Sequence, residues 1–138
     1  MRKLAVDLGD VRIGLAMSDT LGIMASPYET YKAKTLSENV SYIARIVIEN
    51  NCDTVVVGYP INMDGTIGDR ALGAEKFAEL LDKELNESID IVLQDERLTT
   101  TTAEELLIEV DMKREERKKV IDQVAACIIL EQFLKTLK

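Results

Sequence analysis

KLAVDLGDVRIGLAMS, residues 3–18, consists of two apolar runs parted by Gly9 and Asp10. Each run has the length of a strand. Gly-Asp supplies the positive φ angles of a two-residue turn, so the stretch predicts two antiparallel strands joined by a tight hairpin. Asp7 interrupts the first run, between Val6 and Leu8. A carboxylate inside a central strand is costly unless cations or hydrogen-bond donors meet it. Asp7 is therefore either an acid that caps the turn or one member of a charged site.

Outward from the hairpin, GIMASPYETYK (22–32) predicts a third strand in meander order, with Pro27 pushing it to a sheet edge. TLSENVSYIARIVIENN (35–51) predicts a helix opened by a Thr35-x-x-Glu38 capping box, with Val40, Ile43, Ala44 and Val47 on its apolar face. CDTVVVGYP (52–60) is nearly continuous in apolar residues, the mark of a parallel strand buried on both faces. The turn-rich INMDGTIGDRA (61–71) leads into a helix reaching about Leu85, with Ala71, Ala74, Phe77, Ala78 and Leu81 on one side. SIDIVLQ (88–94) predicts a further strand, TTAEELLIEV (101–110) a further helix, and 114–137 a long last helix. Three strands followed by alternating helices and strands make a mixed α/β order, whose later crossovers form parallel pairs covered by helices. The 138 residues, without linker or repeat, suit one domain spanning 1–138.

The composition removes several chemistries. There is no histidine, so a Ser-His-Asp triad, a Cys-His pair and a His-ligated zinc site are excluded. Any metal must be held by oxygen, which favours Mg²⁺ or Mn²⁺. Cys52 and Cys127 have no metal-ligand spacing and are expected to be free, buried thiols in a reducing cytoplasm. The start MRKLAVDLGD does not read as a signal peptide, and no apolar stretch is long enough to cross a membrane. The net charge of −8 opposes indiscriminate binding of nucleic acid. Yet MKREERKK (112–119) concentrates Lys113, Arg114, Arg117, Lys118 and Lys119 against only two glutamates.

Two more acids invite the same question as Asp7. In DERLTTTTAEELL (95–107), Asp95 and Glu96 follow a strand at its C-terminal end, where ligands of open α/β sheets gather. Thr101-x-x-Glu104 is a second capping box, which accounts for the threonines but not for Asp95, Glu96 or Arg97. In VIDQVAACIILEQFL (120–134), Asp122 shares a helix face with Ala125, Ala126 and Ile129. The alanines let that helix lie close to the sheet and bring Asp122 near the strand ends. It is otherwise an acid placed for the helix dipole. Gathered in one pocket, three carboxylates repel unless one or two divalent cations sit among them, and such ions activate water for phosphodiester hydrolysis.

Four ordered stretches, AVDLGDVRIGLAMSD, VVVGYPINMDGTIGDRA, DERLTTTTAEELL and DQVAACIILEQFL, resemble the YqgF family, also called RuvX, essentially from end to end. The resemblance implies a ribonuclease H-like fold: a five-stranded mixed sheet, its first three strands antiparallel, with helices on both faces. It implies a metal-dependent nuclease in which Asp7, Glu96 and Asp122 are catalytic and hold Mg²⁺ or Mn²⁺, two ions in number. Asp95 is the alternative to Glu96. Family members are linked to maturation of the 5′ end of 16S rRNA, and some were first proposed as Holliday-junction resolvases. The expected partner is then RNA (a 16S rRNA precursor) or another structured nucleic acid, with ribosome-assembly factors as further expected partners. The expected protein is cytoplasmic, a monomer or homodimer. In that setting Arg12 is a candidate phosphate contact, as are Asn62 with its loop, Arg97, and the run of Lys113, Arg114, Arg117, Lys118 and Lys119. Asn62 is equally readable as part of a structural turn, and Arg97 as a salt-bridge partner of Asp95.

Three other readings compete. A resolvase of branched DNA would use the same acids. A nucleic-acid-binding module without hydrolysis would be expected to have lost one of them. Sugar kinases and actin-like ATPases share the DLGDVRIG pattern but enclose their nucleotide between two such domains. With 4% aromatic residues and no Trp, base stacking contributes little to any of these.

Overall fold

The computed structural model describes residues 1–95 and 114–137, the side chains of 114–119 excepted. Its strands are β1 (Arg2–Leu8), β2 (Arg12–Ser18), β3 (Ala25–Lys32), β4 (Cys52–Tyr59) and β5 (Asp90–Asp95). Its helices are α1 (Leu36–Glu49), α2 (Asp69–Glu84) and α3 (Arg114–Thr136). The expected helix over 101–110 lies outside the described residues.

The strands form one sheet in the order β3-β2-β1-β4-β5. β1, β2 and β3 pair antiparallel, whereas β4 joins β1 and β5 joins β4 in parallel. This is the ribonuclease H-like arrangement the resemblance implies. Alternation along the strands divides the core in two. Leu4, Val6, Ile13, Leu15, Val55 and Val57 face α1 and α2, together with Ile43, Val47, Phe77 and Leu81. Ala5, Ala16 and Val56 face α3, against Ala126, Ile129, Leu130 and Leu134. Small residues on the α3 side let that helix approach the strands closely. β4, central and parallel, contributes valines to both cores, as its unbroken apolar run foretells.

Thr35 caps α1, accepting from the Glu38 N–H at 3.2 Å, while its hydroxyl donates to Glu38 Oε1. Pro27 lies in the edge strand β3, beside a shift in register between Leu15 and Ala16. The hairpin departs from expectation. Leu8 pairs with Ile13, so four residues intervene, and neither Gly9 nor Asp10 has positive φ. The bend is fixed by tertiary contacts instead. A Cβ on Gly9 would collide with the Arg12 carbonyl, the Ala33 N–H donates to the Val11 carbonyl at 2.9 Å, and Arg70 of α2 donates to the Leu8 carbonyl at 3.3 Å. The last strand begins two residues later than expected, at Asp90, and runs one residue further, taking in Asp95.

Candidate nuclease site

Asp7 is two residues beyond Ala5 and so lies on the α3 side of β1, with only 8% of its surface exposed. Its neighbour in β2 is Gly14, and Gly14 pairs in turn with Thr30 of β3. α3 crosses this row at Asp122 and Gln123. A side chain on Gly14 would run into the Asp122 main chain, and Gln123 donates to Thr30 Oγ1 at 2.8 Å. The sheet and the last helix thus meet at Gly14, which neighbours Asp7 in the sheet and lies against the Asp122 main chain.

Asp122 accepts from Arg12 Nε at 3.1 Å. Burial pushes its carboxyl above the ordinary range, and the hydrogen bond and charge of Arg12 offset part of that rise. Arg12 is the cation that meets this half-buried carboxylate. The carboxylate oxygens of Asp7 and Asp122 are hard donors of the kind that suits a divalent ion. Among the described residues no third acid joins them.

Asp95 pairs with Tyr59, which packs into the α1–α2 core, and paired residues share a face. Asp95 therefore lies across the sheet from Asp7. Glu96 and Arg97 are outside the described residues, as is Lys113. Arg114, Arg117, Lys118 and Lys119 occupy the first turns of α3. Asn62 follows β4, at the same end of the sheet as Asp7, because β4 runs parallel to β1. Its amide is engaged in its own loop, donating to Thr66 Oγ1 at 2.9 Å, while Asp64 accepts from the Thr66 N–H and hydroxyl. Those two bonds hold the Asp64 carboxyl below its ordinary value. Gly65 adopts φ +89° to close the turn. The loop has the bonds of a structural turn.

A family model described as "RuvX: Holliday junction resolvase" matches residues 1–136. The chain belongs to the RuvX family. RuvX relatives named "Putative pre-16S rRNA nuclease" include one from Lachnospira eligens, 44% identical over 139 residues, spanning 99% of this chain and 98% of its own. A second, from Geobacillus kaustophilus, is 45% identical over 97% of both chains, and one from Bacillus subtilis is 40% identical over 99% of both. Among solved structures, fowlpox virus resolvase with Holliday-junction DNA superposes with a TM-score of 0.63 at 14% identity, covering 99% of each chain. Thermus thermophilus RuvC with its junction substrate gives 0.61 at 12% identity, covering 99% of this chain and 95% of its own. At such identities the likeness speaks for the fold, which RuvX shares with both.

Sequence reasoning missed Gly14, Thr30, Lys32 and Gln123 as parts of this region. Gly14 carried a readable signal, since a glycine inside a strand marks a bulge or the close approach of another backbone. The others depend on which residues the sheet and α3 bring together.

Proposed function

We propose that this chain is a metal-dependent nuclease that hydrolyses phosphodiester bonds in the 5′ extension of a 16S rRNA precursor. The observation that carries this reading is the approach of Asp7 and Asp122 across Gly14, with Arg12 on Asp122. It is supported by membership of a family whose relatives carry the pre-16S rRNA nuclease name. Asp7 and Asp122 are the residues that would hold Mg²⁺ or Mn²⁺. Glu96 is the third acid to test, because Asp95 lies on the opposite face. A bound divalent ion supplies a Lewis acid that acidifies water and neutralises charge on the phosphate. Asp7, shielded from solvent, would hold the ion in place, and the ion rather than the carboxylate would meet the phosphate. Arg12 balances the carboxylate charge and is placed to meet a non-bridging phosphate oxygen.

The resolvase reading has its own support in the family description and in the fold shared with two junction-cutting enzymes. One experiment separates them: incubation with a 5′-extended 16S rRNA precursor or a four-way DNA junction, with Mn²⁺, Mg²⁺ or EDTA. Cutting of the RNA that needs metal and is lost in Asp7→Asn is the expected result. Cutting of the junction alone would transfer the assignment to the resolvase. Binding of the RNA without cutting, with either metal, would replace both by a binding module.

A further inference from the structure

Beside the two aspartates, on the α3 face, a groove of about 480 Å³ runs toward the sheet edge, lined by Val11, Arg12, Thr30, Lys32, Val120 and Gln123. Arg12 and Lys32 are direct partners in the β2–β3 register, so both cations stand on one face and side by side. Lys32 is exposed, and among the described residues no carboxylate pairs with it. In a chain of net charge −8, this local pair of cations is out of keeping with the whole. A contrasting cleft at the same end, on the α1–α2 side, is lined by Asp10 and Asp69. There the two carboxylates outnumber the one cation, Arg70, so that side disfavours phosphate.

Resting on the nuclease reading above, we propose that this groove seats the single-stranded RNA leading away from the cleaved bond, with Lys32 on a neighbouring phosphate. β1 and β3 lie two strand spacings apart, about 10 Å. Lys32 therefore reaches a phosphate next to the one at Asp7, not the same one. Val11 and Val120 give the strand an apolar rest. The choice of RNA over DNA falls to Gln123. Its amide nitrogen donates one bond to Thr30, and its carbonyl oxygen, which has no bond among the described residues, is an acceptor for a ribose 2′-hydroxyl.

The test is binding of a fluorescent single-stranded RNA, and of DNA of the same sequence, measured by anisotropy in EDTA over a range of salt. Lys32→Ala is expected to weaken RNA binding about fivefold at low salt and to flatten the salt dependence by about 0.7, the value for one phosphate contact on a single strand. Lys76→Ala, the same charge change on α2, is expected to leave both unchanged. Gln123→Leu is expected to abolish a preference for RNA over DNA, which misfolding would not do selectively. Equal weakening by Lys32→Ala and Lys76→Ala would overturn the groove, and equal wild-type affinity for RNA and DNA would overturn the RNA assignment. Cleavage with metal, run in parallel, keeps the two readings apart. Cutting that persists while Lys32→Ala binds normally overturns the groove alone, whereas Lys32-dependent binding without cutting overturns the nuclease alone.

Discussion

Gly14 shows how much a missing side chain can decide. It opens the gap through which the α3 backbone reaches β2, and it leaves Asp7 and Asp122 on either side. Gly14→Ala sets a methyl group against main chain, which cannot rotate away as a side chain would. The expected cost is about 1–3 kcal/mol, or roughly 5–10 °C in Tm, with a larger loss of cleavage because the two acids part. Calorimetry beside the cleavage assay checks both. Arg12 is legible as a basic residue after a hairpin, but its partner is 110 positions away and only the fold reveals it. On the nuclease reading Asp122 is a metal ligand for which the guanidinium would compete, so Arg12→Ala should tighten Mn²⁺ binding. A half-buried pair worth about 1 kcal/mol corresponds to about fivefold, readable by titration calorimetry. Unchanged or weaker Mn²⁺ affinity would mean the arginine does not stand in the ion's place.

At the scale of elements, periodicity was the dependable guide. The alternation in β1 and β2 and the 3.6-residue pattern of α1 follow from which side of each element meets apolar neighbours, so the burial of Val40, Ile43, Ala44 and Val47 was readable in advance. The turn between β1 and β2 was not. A dipeptide favours certain φ angles, but contacts from Ala33 and Arg70, which no local window contains, hold a longer bend. The facing acids were half legible. Asp7 and Asp122 stood out as acids among apolar residues, while the separation of Asp95 from them depends on register with Tyr59. The α1 cap was legible in full. Thr35→Ala should cost about 1 kcal/mol and Thr35→Ser almost nothing, measured by urea denaturation. Equal losses in both would show that the hydroxyl contributes no cap.

For the whole molecule, proton linkage makes stability depend on alkaline pH. Burial pushes the thiols of Cys52 and Cys127 up to about 11 from an ordinary 9.0. The hydrogen bond to Glu29, then burial, pushes Tyr42 up to about 12 from 10.0. Between pH 9 and 11 the unfolded chain releases thiol protons that the folded chain retains, so the unfolded state binds fewer protons. Stability is then full below pH 9 and is lost as pH rises, by up to about 1 kcal/mol per thiol per pH unit. Urea midpoints at pH 8 and pH 10 should differ accordingly, and a Cys52→Ala, Cys127→Ala variant should narrow the difference. A midpoint that does not move between those pH values would refute the linkage.

Pro27 and the register shift beside it have a consequence for how copies of this chain meet. β3 is the open margin of the sheet nearest the groove, where a row of unpaired amides would invite another strand. A residue without an N–H, next to a break in the pleat, spoils that row as a template. Edge-to-edge pairing is therefore disfavoured around Pro27. On the groove proposed above, the flank bearing Lys32 would be left to a strand of another kind, one joined by phosphates.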